Sequence, residues 1–212
     1  MNVVLFDYGV GNLHSLAKAI EGAGAEVSVT RDWQQAISGD ALVLPGVGAF
    51  SAAVEALPDD PTPIREALLN GLPCLGICLG MQLLFDASDE GPGQGIGVIP
   101  GRVVRLRSHV VPQMGWNDVE CSGDELFAEL PELAAYYANS FVCEPDDEQH
   151  AIAWSTHEQH RFVAAVRRAR TWGVQFHPEK SSTRGRQLIA NFLRAAAAPN
   201  RTTSESSPED PA

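Results

Sequence analysis

Pro73-Cys74-Leu75-Gly76-Ile77-Cys78-Leu79-Gly80-Met81-Gln82-Leu83-Leu84-Phe85 is the stretch on which the reading of this chain turns. Pro73 to Ile77 is a short apolar run, long enough for one buried strand. Leu79 to Phe85 has helical character. Between them stands Gly76-x-Cys78-x-Gly80, small residues two before and two after a nucleophile-type side chain. That is the layout of a nucleophile elbow with Cys in place of Ser. The glycines let the chain turn sharply and expose the side chain at the turn. The helix that follows directs its N-terminal amides toward the sulfur. A lone Gly-x-Cys-x-Gly is equally well an ordinary buried cysteine at a strand end, so the rest of the chain has to decide.

Upstream of the elbow, strand and helix alternate. Asn2 to Phe6 reads as the first strand, followed by the turn Tyr8-Gly9-Val10-Gly11-Asn12. Leu13, Leu16, Ala17 and Ile20 fall on one helical face. Gly22 and Gly24 end that helix. Glu26 to Thr30 and Ala41 to Leu44 are the next strands, the second stopping at Pro45-Gly46-Val47-Gly48. Thr62-Pro63 opens another helix and Asn70-Gly71 closes it. This rhythm predicts an α/β fold, a mostly parallel sheet with helices on both faces. Sites in such sheets lie at the carboxyl ends of the strands, where Gly46–Gly48 and Cys78 both fall.

Downstream the chain is richer in strands: Gly101 to Leu106, Tyr136 to Val142, Ala151 to Thr156, Phe162 to Val166 and Trp172 to Phe176. A last helix spans about Thr183 to Ala197. Residues 1–198 are expected to form one domain. The polar run from Pro199 to Ala212 reads as a disordered tail with no chemistry.

Bulk properties narrow the function. The net charge is -12, which argues against general nucleic-acid binding, since that needs a basic face. Four cysteines (Cys74, Cys78, Cys121, Cys143) are too few for a disulfide scaffold in 212 residues. The start, Met1-Asn2-Val3-Val4, lacks the basic region of a signal peptide, and no apolar stretch reaches the roughly 20 residues of a spanning helix. A cytoplasmic protein with reduced thiols is the expectation.

Two further segments join Cys78. In Phe176-His177-Pro178-Glu179, a strand-end His can reach a neighbouring thiol while Glu179 accepts its other ring proton. Gly46-Val47-Gly48 can free backbone N–H groups for an oxyanion. Each alone is weak. Together, in the order oxyanion turn, nucleophile, His-x-Glu, they point to covalent hydrolysis. No Cys/His set has zinc spacing, and the turn at Tyr8–Asn12 lacks the full Gly-x-Gly-x-x-Gly, so neither a metal nor a dinucleotide cofactor is expected. Trp33, Trp154 and Trp172 are read as packing residues. His109, His150, His157 and His160 are read as solvated, and Asp59-Asp60 and Asp146-Asp147-Glu148 as exposed turns.

Pro45–Gly48, Gly76–Gln82 and Gly173-Val174-Gln175-Phe176-His177-Pro178-Glu179-Lys180-Ser181 resemble the three signatures of class I (triad-type) glutamine amidotransferases, a flavodoxin-like fold, over about residues 1–197. Asp7-Tyr8-Gly9-Val10-Gly11-Asn12-Leu13-His14-Ser15, Met114-Gly115-Trp116-Asn117 and the Glu-Lys-Ser ending are similar to the glutaminase subunits of imidazole glycerol phosphate synthases. The resemblance implies a heterodimer with a barrel-shaped cyclase subunit, L-glutamine as substrate and no cofactor. It implies a triad of Cys78, His177 and Glu179, with Gly46, Val47, Gly48 and Leu79 around the oxyanion. Gln82, Asn139, Ser140 and Phe141 would help bind glutamine. Tyr8, Gly9, Gly11, Asn12, Trp116, Tyr136 and Lys180 would lie toward the partner. The chain departs from the usual pattern at Pro112-Gln113, where Pro-His is common, and at Asn139-Ser140-Phe141, where His-Ser-Tyr or His-Thr-Tyr is common. The rival readings are a glutaminase component of another pathway (anthranilate, purine or pyridoxal phosphate), a stand-alone cysteine hydrolase, and a non-catalytic binding subunit.

Overall fold

The fold was determined as a computed structural model that describes residues 1–9 and 13–199. Four strands of the first half form most of the parallel part of the sheet. These are β1 (Asn2–Phe6), β2 (Glu26–Thr30), β3 (Ala41–Leu44) and β4 (Cys74–Ile77). Helices α1 (Leu13–Gly22), α2 (Trp33–Ala36), α3 (Phe50–Val54), α4 (Thr62–Leu69) and α5 (Leu79–Leu83) alternate with or follow them. The second half adds nine strands: β5 (Ala87–Ser88), β6 (Gly91–Gln94), β7 (Gly101–Arg105), β8 (Gln113–Cys121), β9 (Leu133–Asn139), β10 (Phe141–Pro145), β11 (Ala151–His157), β12 (His160–Arg168) and β13 (Thr171–Val174). The closing helix is α6 (Ser182–Ala197).

The main sheet runs β2-β1-β3-β4-β13-β12-β10-β7-β5-β6. It is parallel from β2 through β13 and antiparallel from β13 to β7. The central strands β3, β4 and β13 are buried at every residue, because both faces are covered. Strand alternation divides the core in two. Val3, Leu5, Val43, Leu75 and Ile77 face one layer, which includes Leu188, Ile189 and Phe192 of α6. Val4, Phe6, Leu42, Leu44 and Cys74 face the other, with Phe50, Ile64 and Leu68 of α3 and α4. The topology is the α/β architecture expected from the strand–helix rhythm, with the expected extra strands in the second half.

Three local details differ from the sequence expectation. Tyr136 to Val142 is not one strand. The chain breaks at Ser140, where β9, paired with β8, gives way to β10, paired with β7. Strand β8 has no counterpart among the expected strands, because its polarity is inverted: Gln113 is buried while Met114 and Trp116 are among the most exposed large apolar side chains, at 63% and 59%. Of the residues read as solvated, His160 accepts a hydrogen bond at Nδ1 from the Arg107 backbone (3.0 Å), and a ring nitrogen of His157 lies 2.8 Å from the Val110 carbonyl oxygen. Residues 10–12 and 200–212, including Gly11, Asn12 and nearly all of the expected tail, lie outside the described residues.

Tyr8, expected toward a partner, turns its ring inward. It packs edge-on against Phe6, with centroids 5.0 Å apart, and Phe6 in turn stacks on Trp33 at 3.7 Å. The Tyr8 hydroxyl is buried with no hydrogen-bond partner among the described residues, and burial, together with nearby Cys74, raises its pKa well above the ordinary tyrosine value. An unsatisfied buried hydroxyl costs about 1–3 kcal/mol. Tyr8→Phe is therefore expected to raise stability by about 1 kcal/mol in urea unfolding, and a loss of stability would show that the hydroxyl has a partner in solution.

Candidate active site

Three loops at the carboxyl ends of β3, β4 and β13 meet at one cavity. The first constraint is backbone contact. A Cβ on Gly46 would lie 1.8 Å from the Ile77 carbonyl oxygen and 2.4 Å from the Leu79 nitrogen. A Cβ on Gly80 would lie 2.0 Å from the Leu44 carbonyl oxygen. Only glycine fits at either place, so the turn after β3 presses directly on the elbow after β4. At the apex Cys78 has φ +52° and ψ −104°, a conformation that strains a non-glycine residue by about 1–3 kcal/mol. Bonds on each side hold it: Cys78 N–H donates to the Val174 carbonyl (2.7 Å), and Gln82 N–H to the Cys78 carbonyl (3.1 Å).

His177 follows β13, the strand beside β4, and is 2% exposed. Its Nδ1 lies 2.9 Å from Glu179 Oε1, and its other side faces Cys78. Burial works against the imidazolium, but the hydrogen bonds and charges of Cys78 and Glu179 outweigh it and raise the pKa to about 9. The loop itself is stapled. His177 N–H donates to the Tyr136 carbonyl (2.8 Å), Tyr136 N–H donates to Ser181 Oγ (2.9 Å), and Ser181 Oγ donates to the His177 carbonyl (2.6 Å). Ser181 is fully buried, and nothing in the sequence beyond its place after the His motif signals this role.

The cavity holds about 230 Å³ and is lined by Gly46, Val47, Gly48, Cys78, Leu79, Gln82, Glu90, Ala138, Asn139, Ser140, Phe141, His177 and Lys180. Thus Cys78 and His177 come together with every residue expected around the oxyanion and the glutamine. Lys180, expected only at a partner face, also lines it. Glu90 is an addition that sequence reasoning misses; its carboxylate accepts from Phe50 N–H (2.8 Å), and in sequence Asp89-Glu90-Gly91 looks like any acidic turn. Larger hollows lie around Arg170 and beside Trp116, but no nucleophile–base pair lines them.

The two departures from the family pattern prove to be neighbours. Gln113 and Asn139 are register partners across β8 and β9, both buried, and the side-chain oxygens of both are buried without a donor among the described residues. Beside them, Trp116 and Tyr136 pack edge to face with centroids 6.3 Å apart, and the Lys180 ammonium lies 5.8 Å from the Tyr136 ring. Gly9, also expected at the partner face, has φ +81° and donates to Asp7 Oδ1 (2.7 Å). Of the other thiols, burial raises Cys74 and Cys143 far above the usual range and Cys121 to about 11. No group of His, Cys, Asp and Glu among the described residues is placed to hold a metal ion. No helix there is long and apolar enough to cross a membrane.

The family model described as glutamine amidotransferase class-I matches residues 4–196. The chain is 42% identical to the imidazole glycerol phosphate synthase subunit HisH of Synechococcus elongatus, over 92% of this chain and 94% of that one. It is 41% identical to the same subunit of Corynebacterium glutamicum, over 90% and 97%. Among solved structures, one described as a glutamine amidotransferase superposes with a TM-score of 0.73 at 20% identity, covering 92% and 99%. A chain of PurLQS from Thermotoga maritima gives 0.70 at 17%, covering 92% and 96%.

Because folding raises the His177 pKa from 6.5 to about 9, the stability it contributes is fully present below pH 6.5 and is lost as pH rises through 9. Wild type is expected to exceed His177→Gln in unfolding free energy by on the order of 2–3 kcal/mol more at pH 6 than at pH 9.5. An equal gap at both pH values would mean that the fold does not favour the imidazolium. Ser181→Ala leaves the Tyr136 N–H unpaired and the His177 carbonyl with only the Lys180 N–H (3.0 Å); we expect a stability loss of about 1–3 kcal/mol. It should also lower kcat, readable by urea unfolding and glutamate release.

Proposed function

The chain belongs to the class-I glutamine amidotransferases, and on that premise we propose that Cys78, His177 and Glu179 carry out its glutamine hydrolysis. The chain is the glutaminase subunit of an imidazole glycerol phosphate synthase, in histidine biosynthesis. The observation that carries the site assignment is the imidazole of His177, held on one side by Glu179 and on the other by Cys78, opposite a glycine turn in one small cavity.

The chemistry follows from the placement. With the Cys78 proton held on His177, the sulfur attacks the side-chain amide carbon of glutamine. The carbonyl oxygen becomes an oxyanion, held by backbone N–H groups of the Val47–Gly48 turn and of Leu79. His177 returns the proton to the departing nitrogen, and ammonia leaves. The glutamyl thioester is then cleaved by water, with His177 taking a proton from the water and the sulfur recovering one. Glu179 keeps the ring oriented throughout. Glu90 offers a carboxylate to the α-ammonium of glutamine, while Gln82 and the Asn139–Phe141 loop shape the rest of the pocket.

Ammonia passes to a barrel-shaped cyclase subunit, where imidazole glycerol phosphate and an aminoimidazole carboxamide ribotide are made. Exposed Met114 and Trp116, with Tyr136 beside Trp116 and Lys180 between the Tyr136 ring and the cavity, offer that partner an apolar surface continuous with the cavity's rim. Val47 stands between two glycines, Gly46 and Gly48 (φ +119°), and rotation of the Gly46–Val47 peptide turns the Val47 N–H into a donor when the liganded partner docks.

The test is glutamate release by wild type and Cys78→Ala, with and without the nucleotide-liganded cyclase subunit. Turnover is expected for wild type with the liganded partner, and none for Cys78→Ala. Equal turnover by the isolated chain would remove the gating, and turnover by Cys78→Ala would remove the nucleophile. Glu90→Gln is expected to raise KM about tenfold or more while kcat changes little.

A further inference from the structure

Beneath Cys78 lies a side chain that the mechanism above does not use. Gln175, at the end of β13, is fully buried. Its backbone N–H donates to the Ala164 carbonyl (2.8 Å), which fixes it to β12. Its side-chain Nε2 donates to Cys78 Sγ at 3.5 Å. Its Oε1 accepts from Gln82 Nε2 at 3.4 Å. Gln82 Nε2 also reaches the Phe141 carbonyl at 3.4 Å, and Asn139 Nδ2 donates to the same carbonyl at 3.0 Å. A run of amides therefore leads from the loop that lines the substrate cavity to the reacting sulfur.

We propose that Gln175 is a further catalytic residue, donating an N–H bond to the Cys78 sulfur, and that Gln82 is the positioning residue that orients its amide. The proposal rests on the reading of Cys78 as the nucleophile. An amide can present either its oxygen or its nitrogen to the sulfur. Presenting the oxygen would set a lone pair against a sulfur that becomes anionic. Gln82 decides the matter, because its donor needs the Gln175 oxygen and so turns the Gln175 nitrogen toward Sγ. A hydrogen bond to a charged acceptor is stronger than one to a neutral acceptor. The Gln175 bond is therefore strongest while the proton is on His177 and the sulfur is an anion, and it weakens once sulfur is bound in the thioester. No charge is added to the buried site. Gln82 thus serves two ends: it lines the cavity, and it carries the orientation of the Phe141 carbonyl through to the nucleophile.

The experiment measures the rate of Cys78 alkylation by iodoacetamide against pH in the full chain, and glutamate release with the liganded cyclase subunit present. Cys78→Ala gives the alkylation background of the other thiols. Gln175→Met keeps the length and removes the donor. It is expected to move the alkylation profile upward by about one pH unit and lower kcat about tenfold to a hundredfold, with KM within about twofold. Gln82→Glu offers only acceptors, so it turns the Gln175 amide around and moves the alkylation profile in the same direction. Because the two act as one unit, the double variant is expected to be no worse in alkylation than Gln175→Met alone. If Gln175→Met does not fold, as judged by circular dichroism, the near-isosteric Gln175→Glu carries the test with the same expected direction. An unchanged alkylation profile and kcat in the folded Gln175 variants, with Cys78→Ala inactive, would overturn the role of Gln175 and leave the nucleophile standing. Full turnover by Cys78→Ala would instead overturn the reading on which it rests.

Discussion

Backbone packed against backbone at the elbow is the constraint from which the rest of this site follows. The Gly46 turn touches the Ile77–Leu79 segment so closely that no side chain fits between them, and Gly80 rests on Leu44 in the same way. These contacts bring the ends of β3 and β4 within reach of one substrate atom. They also hold Cys78 at a positive φ that the residue would not choose. The strain is sustained by the fully buried strands around it, whose hydrogen bonds and packing leave the apex no alternative.

The proposed base is placed differently. Cys78 stands on a rigid elbow, whereas His177 sits in a loop whose position is borrowed from its neighbours. Ser181 ties it to Tyr136 on β9, and α6 comes so close to that loop that a Cβ on Gly185 would lie 2.0 Å from the Pro178 carbonyl oxygen. The proposed nucleophile and base therefore follow two paired strands, β4 and β13, while the base's loop takes a further hold from β9 and α6. Their alignment depends on that hold as well as on the sheet.

Much of this was legible in the sequence because it is written in apolar runs and in glycine spacing. β1, β3 and β4 are short runs of Val, Leu and Ile bounded by turns, and burial on both faces leaves little else they can be. Cys78, His177 and Glu179 stand at strand ends, where chemistry is expected. What stayed hidden depends on register. Gln113 and Trp116 of β8 reverse the usual rule of apolar in and polar out, so the strand carries no periodic signal. The break at Ser140 is invisible because both flanking segments are good strands; only their different partners separate them. Glu90, Gln175 and Ser181 are single polar residues whose importance comes from what lies opposite, and a linear sequence does not record that.

The exposed strip on β8 has a consequence for the life of the chain before assembly. Met114 and Trp116 stand in water opposite Ala138 and Tyr136 of β9, so a copy made in excess of whatever covers them presents an adhesive face to every other such copy. Such surplus is prone to self-association and to removal by proteolysis. On the proposed reading, in which the cyclase subunit covers this strip, synthesis in step with that partner is favoured, and the pressure to match the two amounts comes from two side chains outside the proposed catalytic machinery.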